Sequence, residues 1–248
     1  AVYQAWDAEL GVAVALKVIR TDSRRRAASS EAEKRFKQEL LLARQVTHKN
    51  VVRIHDLGQI DGIKYITMPF VKGDDLSAVL KRDGKLPIAH ALRLARQVAG
   101  GLQAAHEAGV VHRDLKPPNI MIGGAGDDEQ ALIMDFGISA SADEDTAGTI
   151  VGTLEYMSPE QGSGRAVDAR TDLYSAGVIL YELLSGQRGY DCEDISDTLA
   201  AVLTRDVDWS ALPAGTPPRL TALLRDCLMR DPRQRLRDIG DARRVIGH

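Results

Sequence analysis

Cysteine, aromatic residues and long apolar runs are all scarce in this sequence of 248 residues. The two cysteines, Cys192 and Cys227, are too few for a disulfide framework and favour a reducing, cytoplasmic setting. No run approaches the ~18 apolar residues of a membrane-spanning helix, so we expect no membrane contact within this segment. Because aromatic residues make up only 4%, Leu, Val, Ile and Ala must fill most of the core.

A surplus of either charge is also missing, since 32 Lys and Arg are matched by 35 Asp and Glu. Without a basic excess or a polybasic block, the sequence predicts neither a nucleic-acid partner nor a membrane-surface partner. It has no initiator Met, no signal peptide and no targeting tail, and it opens directly in a strand-like run. We therefore expect it to be a piece of a longer protein.

The apolar pattern divides the sequence into a β-rich part and a helical part. Residues 12–19, 51–57 and 64–68 are strand-like, and residues 31–46 carry apolar positions at helical spacing. Further helices are predicted over 88–108, 171–184, 196–204, 219–228 and 239–246, and a hairpin over 120–134. We predict an α+β fold in one domain, with a small sheet lobe at 1–70 and a larger helical lobe at 71–248. A ligand site is expected where the lobes meet.

The most informative stretch is V-H-R-D-L-K-P-P-N at residues 111–119, followed by D-F-G at residues 135–137. A single Asp in a loop is more often a solvated turn residue. Here an acid, a lysine and an asparagine stand within six positions, with a second Asp nearby. This set suits a magnesium–nucleotide site, because Mg²⁺ takes oxygen ligands from one or two protein groups and from phosphates. The pattern resembles the protein-kinase signature H-R-D-L-x-x-x-N with D-F-G.

The resemblance covers the whole chain and implies the bilobal protein-kinase fold, with ATP as the phosphoryl donor. It makes Asp114 the catalytic base and directs Lys116 to the transferring γ-phosphate. Asn119 and Asp135 would hold Mg²⁺, with Mn²⁺ as the alternative metal. Lys116 together with Thr153 is the combination typical of serine/threonine kinases rather than tyrosine kinases, and Thr153 is placed with the catalytic residues.

The ATP site implied by the resemblance begins at Lys17, a costly residue on an otherwise apolar strand unless it is paired. Its family partner is a helix glutamate, which matches Glu39. The other implied ATP-binding positions are Val2, Ala15, Met68, Pro69, Val71, Asp75 and Met121. Pro69 replaces a common Glu but keeps its carbonyl. Asp75 could equally be a helix-start residue, and Val2, Ala15 and Met121 plain core. The glycine-rich loop and first strand would precede residue 1, leaving only Val2 as their tail.

The family pattern also names structural and regulatory residues. Glu160, near the end of the activation segment, would pair with buried Arg235, and Asp172 would brace the catalytic loop from below. Arg113 would receive a phosphate from the activation loop. Thr149 is the first candidate for autophosphorylation and Thr146 the second, because both lie in the polar loop before Gly152.

These features predict an enzyme that transfers the ATP γ-phosphate to Ser/Thr hydroxyls of proteins. A second copy of the chain would be a substrate in trans-autophosphorylation. The alternative is a pseudokinase-like nucleotide-binding scaffold, although every catalytic position within the chain is intact. A small-molecule phosphotransferase is disfavoured by the segment from Gly152 to Glu160. Residues 231–244 resemble bacterial receptor-like kinases, in which a membrane-anchored protein holds this domain on the cytoplasmic side.

Overall fold

The computed structural model describes residues 2–9, 11–19, 30–61, 63–136 and 154–247. The N-terminal part is a four-stranded antiparallel sheet in the order β1-β2-β4-β3, with one helix, α1, inserted after β2. Its elements are β1 (Val2–Asp7), β2 (Val12–Ile19), α1 (Ser30–Gln45), β3 (Asp56–Ile60) and β4 (Ile63–Pro69). The second strand and the inserted helix lie where the apolar pattern predicts them.

The remainder is mainly helical and carries a second, three-stranded sheet in the order β5-β6-β7. These strands are β5 (Gly73–Asp75), β6 (Ile120–Gly123) and β7 (Gln130–Ile133). The helices are α2 (Leu76–Asp83), α3 (Ile88–Glu107), α4 (Pro159–Gly162), α5 (Arg170–Ser185), α6 (Ile195–Thr204), α7 (Pro218–Cys227) and α8 (Ile239–Ile246). The hairpin predicted over residues 120–134 and the helix predicted over residues 88–108 are confirmed, as β6–β7 and α3. The apolar pattern did not predict β5, α2 or α4.

The helix α5 forms the centre of the helical part. It is apolar on nearly all sides, which is the pattern of a fully buried helix, and Tyr174 and Tyr181 are at most 1% exposed. Helix α3 packs against both α5 and α8. The helix α5 ends at Gly186, whose φ of 72° is left-handed and therefore favours glycine. This packing gives the loops above α5 a rigid base.

The strand predicted over residues 51–57 is wrong in its first half. Only Val51 makes an isolated parallel bridge, to Ile133, and the strand itself begins at Asp56. The backbone of this segment is instead tied to β7, because Val52 N donates to Ile133 O at 2.8 Å and Ile133 N donates to Asn50 O at 2.9 Å. The apolar residues here thus reflect burial between the two parts rather than a place in the N-terminal sheet.

Candidate active site

The catalytic-loop segment 111–119 is held from below by a buried carboxylate. Asp172, at the start of α5, is fully buried and accepts hydrogen bonds from the backbone N–H of His112 at 2.8 Å and of Arg113 at 2.9 Å. His106 Nε2 lies 2.8 Å from the same carboxylate. A buried carboxylate is stable only when its oxygens are hydrogen-bonded. The fold therefore fixes the loop backbone at Arg113, one residue before Asp114.

His112 and Met134 link this loop to the strand that leads to Asp135. The ring of His112 stands edge-on to Phe136 with centroids 4.7 Å apart, and its Nε2 lies 2.7 Å from Met134 O. Met134 N donates to Asn119 O at 2.9 Å. Both backbone polar groups of Met134 are thus bonded to the loop. Asp135 and Asn119 are consequently held by one connected backbone network.

Asp114, Lys116 and Asn119 form a cluster at the loop surface. Lys116 Nζ lies 2.9 Å from Asp114 Oδ2. The amide nitrogen of Asn119 donates to Asp114 O at 2.7 Å and to Asp114 Oδ2 at 3.2 Å. That nitrogen is therefore engaged, and the amide oxygen of Asn119 is the atom suited to a metal ion. Asn119 and Asp135 together offer the hard oxygen donors that Mg²⁺ or Mn²⁺ prefers, so the donor set fits the implied metal.

The predicted Lys17–Glu39 ion pair is not formed between these two described side chains. Lys17 Nζ pairs with Asp135 Oδ2 at 2.7 Å, and Glu39 Oε1 accepts from Arg113 Nη1 at 2.9 Å. All four side chains are partly buried, and a charge in that setting needs a partner. In the observed arrangement each of the four charged side chains has one oppositely charged partner. The family pattern identified Lys17, Glu39 and Asp135 as site residues, but it assigned Lys17 the wrong partner for this structure.

Two residues of this site have backbone angles that ordinary side chains seldom adopt. Arg113 has φ 65° and Asp135 has φ 66°. Non-glycine residues in the left-handed region cost roughly 1–3 kcal/mol and concentrate at functional sites. The strain is opposed by the hydrogen bonds of Asp172 and Met134, which fix the backbone on either side. Positive φ angles at these non-glycine residues could not be predicted from the sequence.

The residues predicted to contact the nucleotide lie around the junction of the two parts. Met68 is buried at the end of β4 and pairs in register with Ala15 of β2, while Val71 packs against the core beyond exposed Pro69. Val2, on the edge strand β1, is paired in register with Lys17. Met121 pairs in register with Asp75 across β5 and β6.

The carboxylate of Asp75 caps helix α2 by accepting from Ala78 N at 3.0 Å, and it also accepts from Ser77 Oγ. In this structure Asp75 therefore acts as the residue that caps the start of helix α2. Its predicted contact with a ribose stays a prediction.

The segment that begins at Leu154 is anchored by an ion pair. Arg235 Nη1 and Nη2 lie 2.7 and 3.0 Å from the two oxygens of Glu160, and both side chains are at most 3% exposed. Arg235 also donates to Arg170 O at 2.6 Å and to Met229 O at 3.0 Å. Burial alone would raise the pKa of Glu160, but the hydrogen bonds and charge of Arg235 outweigh it and lower that pKa. The structure brings this predicted pair together.

Two further anchors of this segment were missed by sequence reasoning. Gln161 donates to Arg113 O at 2.6 Å, which ties helix α4 to the catalytic loop. Tyr156 Oη donates to Glu182 Oε2 at 2.6 Å, and burial raises the pKa of both groups. Polar residues of these types are common on protein surfaces. Only the fold shows that Tyr156 and Glu182 are buried and that Gln161 contacts the catalytic loop. Ser158 caps α4 in a reciprocal arrangement with Gln161.

Four predicted positions lie outside the described residues, namely Gly137, Thr146, Thr149 and Thr153. The roles given to Thr153 and to the two candidate phosphorylation sites therefore stay predictions. Within the described ranges, none of the helices combines the length and the apolar character that a bilayer-spanning segment needs.

Comparison with known proteins matches residues 1–247 to the model of the protein kinase domain. The chain is 43% identical to serine/threonine-protein kinase pkn2 of Myxococcus xanthus over 196 residues, covering 77% of this chain and 23% of that protein. It is 36% identical to PksC of Streptomyces coelicolor over 248 residues, covering 94% and 44%. It is also 36% identical to PknA of Mycobacterium tuberculosis over 249 residues, covering 96% and 56%. All three are named serine/threonine-protein kinases, and the chain spans between about a quarter and just over half of the length of these relatives.

Proposed function

This chain belongs to the protein kinase family, and from that premise we propose that it transfers the γ-phosphoryl group of ATP to Ser or Thr hydroxyls of proteins. The predicted family and fold class are confirmed, and a kinase domain implies ATP and a divalent metal as partners. The observation that carries the proposal is the cluster of Asp114, Lys116 and Asn119 beside Asp135. Mg²⁺ is the proposed metal, with Mn²⁺ as a substitute.

The proposed chemistry divides among the side chains of this cluster. Asp114 accepts and orients the substrate hydroxyl, while Lys116 places positive charge where the transferring group spreads negative charge. A divalent metal held by Asn119 and Asp135 would neutralise charge on the phosphates. Lys17 binds the α- and β-phosphates, and residues from Met68 to Val71 bind the adenine. The division into lobes at residues 1–70 and 71–248 and the cytoplasmic location belong to the same proposal.

The direct test is incubation of the chain with ATP, Mg²⁺ and a generic protein substrate such as casein. We expect phosphate on serine and threonine and none when the divalent metal is chelated. ATP binding without any transfer would contradict the proposal and favour the nucleotide-binding scaffold. Phosphate found only on tyrosine, or only on a small metabolite, would also contradict it.

We further propose that catalysis requires Glu39 to exchange Arg113 for Lys17, because the kinase reaction needs the Lys–Glu ion pair in place. Replacing Glu39 with Gln is expected to lower kcat/KM on the order of ten- to a hundredfold, the effect of one charge-assisted hydrogen bond. Steady-state kinetics at varied ATP concentration would measure this. Glu9→Gln, which changes an exposed acid in the same part of the protein, is the matched control. Equal kinetics of Glu39→Gln and wild type would contradict the exchange.

Autophosphorylation of Thr149, and secondarily of Thr146, is the proposed activating event. A phosphate carries close to two negative charges and pairs strongly with arginine, so it would compete with Glu39 for Arg113. We expect incubation with ATP to add phosphate within residues 139–153, detected by intact mass and peptide mapping. A fully active enzyme whose phosphate lies only outside these residues would contradict this prediction.

A further inference from the structure

A polar cleft of about 580 Å³ lies where helices α3 and α8 meet the turn between β6 and β7. Its lining includes Lys49, Arg96 and Arg243, and also Asp127 and Asp128 of the turn. Among the described residues, none of those proposed for ATP binding or catalysis lines it. A neighbouring, more open depression shares Arg96 and Arg243 with it. The cleft is therefore a separate feature of the surface that the proposed reaction does not explain.

Arg243 and His48 lie close over Gly100 of α3, and Arg96 lies one turn away on the same helix. Arg96 and Gly100 are four residues apart and so lie on the same helix face. Because Gly100 has no side chain, Arg243 and His48 close over it: a Cβ at this position would lie 3.7 Å from Arg243 Cζ and 3.3 Å from His48 Cε1. Arg243 Nη1 donates to Gln103 Oε1 at 3.1 Å, which fixes the guanidinium over the helix.

Three of the cations that line this cleft make no ion pair with a carboxylate in the described part of the chain. Arg93, at the same cleft, pairs with Glu129 at 3.1 Å, and Arg244 pairs with Asp241. Lys49, Arg96 and Arg243, in contrast, make no ion pair with any described carboxylate. Burial first, and then the charges of Arg243 and Lys49, lower the pKa of His48. Among the described residues, three cations without an ion-pair partner therefore line one cleft, and they outnumber the two unpaired carboxylates, Asp127 and Asp128, that line it as well. This excess of positive charge favours an anion.

We propose that this cleft binds the phosphate of a phosphoserine or phosphothreonine on a protein partner, recognised by Lys49, Arg96 and Arg243. A phosphate monoester carries close to two negative charges and three acceptor oxygens, which suits a cleft lined by three cations better than a single carboxylate does. Guanidinium groups bind phosphate oxygens in bidentate fashion. The identity of the ligand rests on the proposed function, because that reaction produces phosphoserine and phosphothreonine.

The acidic turn between β6 and β7 disfavours partners that carry many negative charges. Asp127 and Asp128 are exposed at the same cleft and would repel an extended polyanion such as RNA or an anionic membrane. A peptide with a single phosphate brings fewer negative charges near Asp127 and Asp128, so this repulsion is smaller. The cleft therefore favours a peptide with one phosphate over a ligand with a continuous row of charges.

The binding experiment uses the full chain carrying Asp114→Asn, so that it does not depend on the proposed reaction. A phosphothreonine peptide, its unphosphorylated form and its Thr→Glu form are titrated while the imidazole signal of His48 is followed by NMR. Nδ1 of His48 accepts from Asn50 N at 3.1 Å, which marks the neutral ring as the resting form. An anion beside it favours the protonated ring, so the phosphopeptide is expected to raise the pKa of His48, with no change for the unphosphorylated form.

Substitutions then assign the contacts. Arg96→Gln and Arg243→Gln are each expected to weaken phosphopeptide binding by roughly tenfold or more, the effect of a lost charge-assisted hydrogen bond. Arg219→Gln, which changes an exposed arginine at the start of α7, is the matched control and should leave the affinity unchanged. Equal binding of the Thr→Glu peptide, equal binding of RNA or anionic vesicles, or binding that survives both cleft substitutions would overturn the proposal.

Discussion

Replacing Asp114 with Asn is expected to lower kcat for protein phosphorylation by about 10²–10⁴-fold, the usual contribution of a positioned general base. The amide keeps the size of the side chain but cannot accept a proton at neutral pH. It also weakens the contact with Lys116, whose Nζ lies 2.9 Å from Asp114 Oδ2. The affinity for ATP should change little, because Asp114 is not among the predicted nucleotide contacts. A kinase assay and an ATP-binding titration on the same preparation separate the two effects.

The control for this substitution is Asp226→Asn, which makes the same chemical change at an exposed acid of α7. It should retain full activity. Thermal unfolding of both variants checks that lost activity does not come from lost folding. If Asp114→Asn kept more than about a tenth of the wild-type kcat, which is above the range for a general base, Asp114 would not have the role assigned to it.

Replacing Arg235 with Met is expected to destabilise the fold by ~3–5 kcal/mol, because it leaves the carboxylate of Glu160 buried without a partner. Both side chains are at most 3% exposed, so solvent does not compensate for the loss. The double variant Glu160→Met/Arg235→Met should be less unstable than the sum of the single variants, since it removes the stranded charge as well. Denaturant unfolding of the four proteins completes the cycle. Additive single effects would contradict the pairing as the source of the stability.

The matched control is Arg233→Met, two residues away in the same loop. The side chain of Arg233 is 85% exposed, and among the described residues it forms an ion pair only with Asp231. Exposed ion pairs of this kind contribute little to stability. Its replacement should change the free energy of unfolding by less than about 0.5 kcal/mol. A large loss in this control would mean that the loop, rather than the buried pair, is sensitive.

The Glu160–Arg235 contribution also has a predicted dependence on pH. The pKa of Glu160 is lowered from 4.5 in the folded protein, so the stabilisation is complete above the unfolded-state value and is lost as the pH falls through the folded value. The difference in stability between wild type and Arg235→Met should therefore be largest near neutral pH. It should shrink in acid, where Glu160 becomes protonated.

The residues of the candidate site could be read from the sequence, whereas several of their contacts could not. The segment 111–119 and Asp135 belong to short patterns in which each residue type suits one chemical task, so the order of residues was sufficient. The partners of Lys17 and Glu39 depend instead on where α1 stands relative to the catalytic loop. That position is set by packing across the junction and not by residues near to either one in sequence.

The fold, too, could be predicted from the sequence in some parts and not in others. Long periodic elements such as α3 and β2 were predicted because their apolar faces repeat many times. Residues 51–54 were taken for a strand because burial alone produces the same apolar run, and only the backbone bonds to β7 distinguish the two cases. Gln161 gave no signal, because its importance comes from one long-range hydrogen bond to Arg113.

The backbone bonds of Met134 have a thermodynamic consequence for metal binding. Ordering the backbone of one residue costs roughly 1–2 kcal/mol in conformational entropy. A metal site assembled from two loose segments would incur that cost, on binding, for every residue that becomes ordered. Here Met134 N is bonded to Asn119 O, and Met134 O to His112, so the segments that carry Asn119 and Asp135 are ordered together when the chain folds. The entropy has then been lost before any ion arrives. If Asn119 and Asp135 hold the metal as proposed, the free energy of coordination would be available for holding the phosphates rather than for ordering the protein.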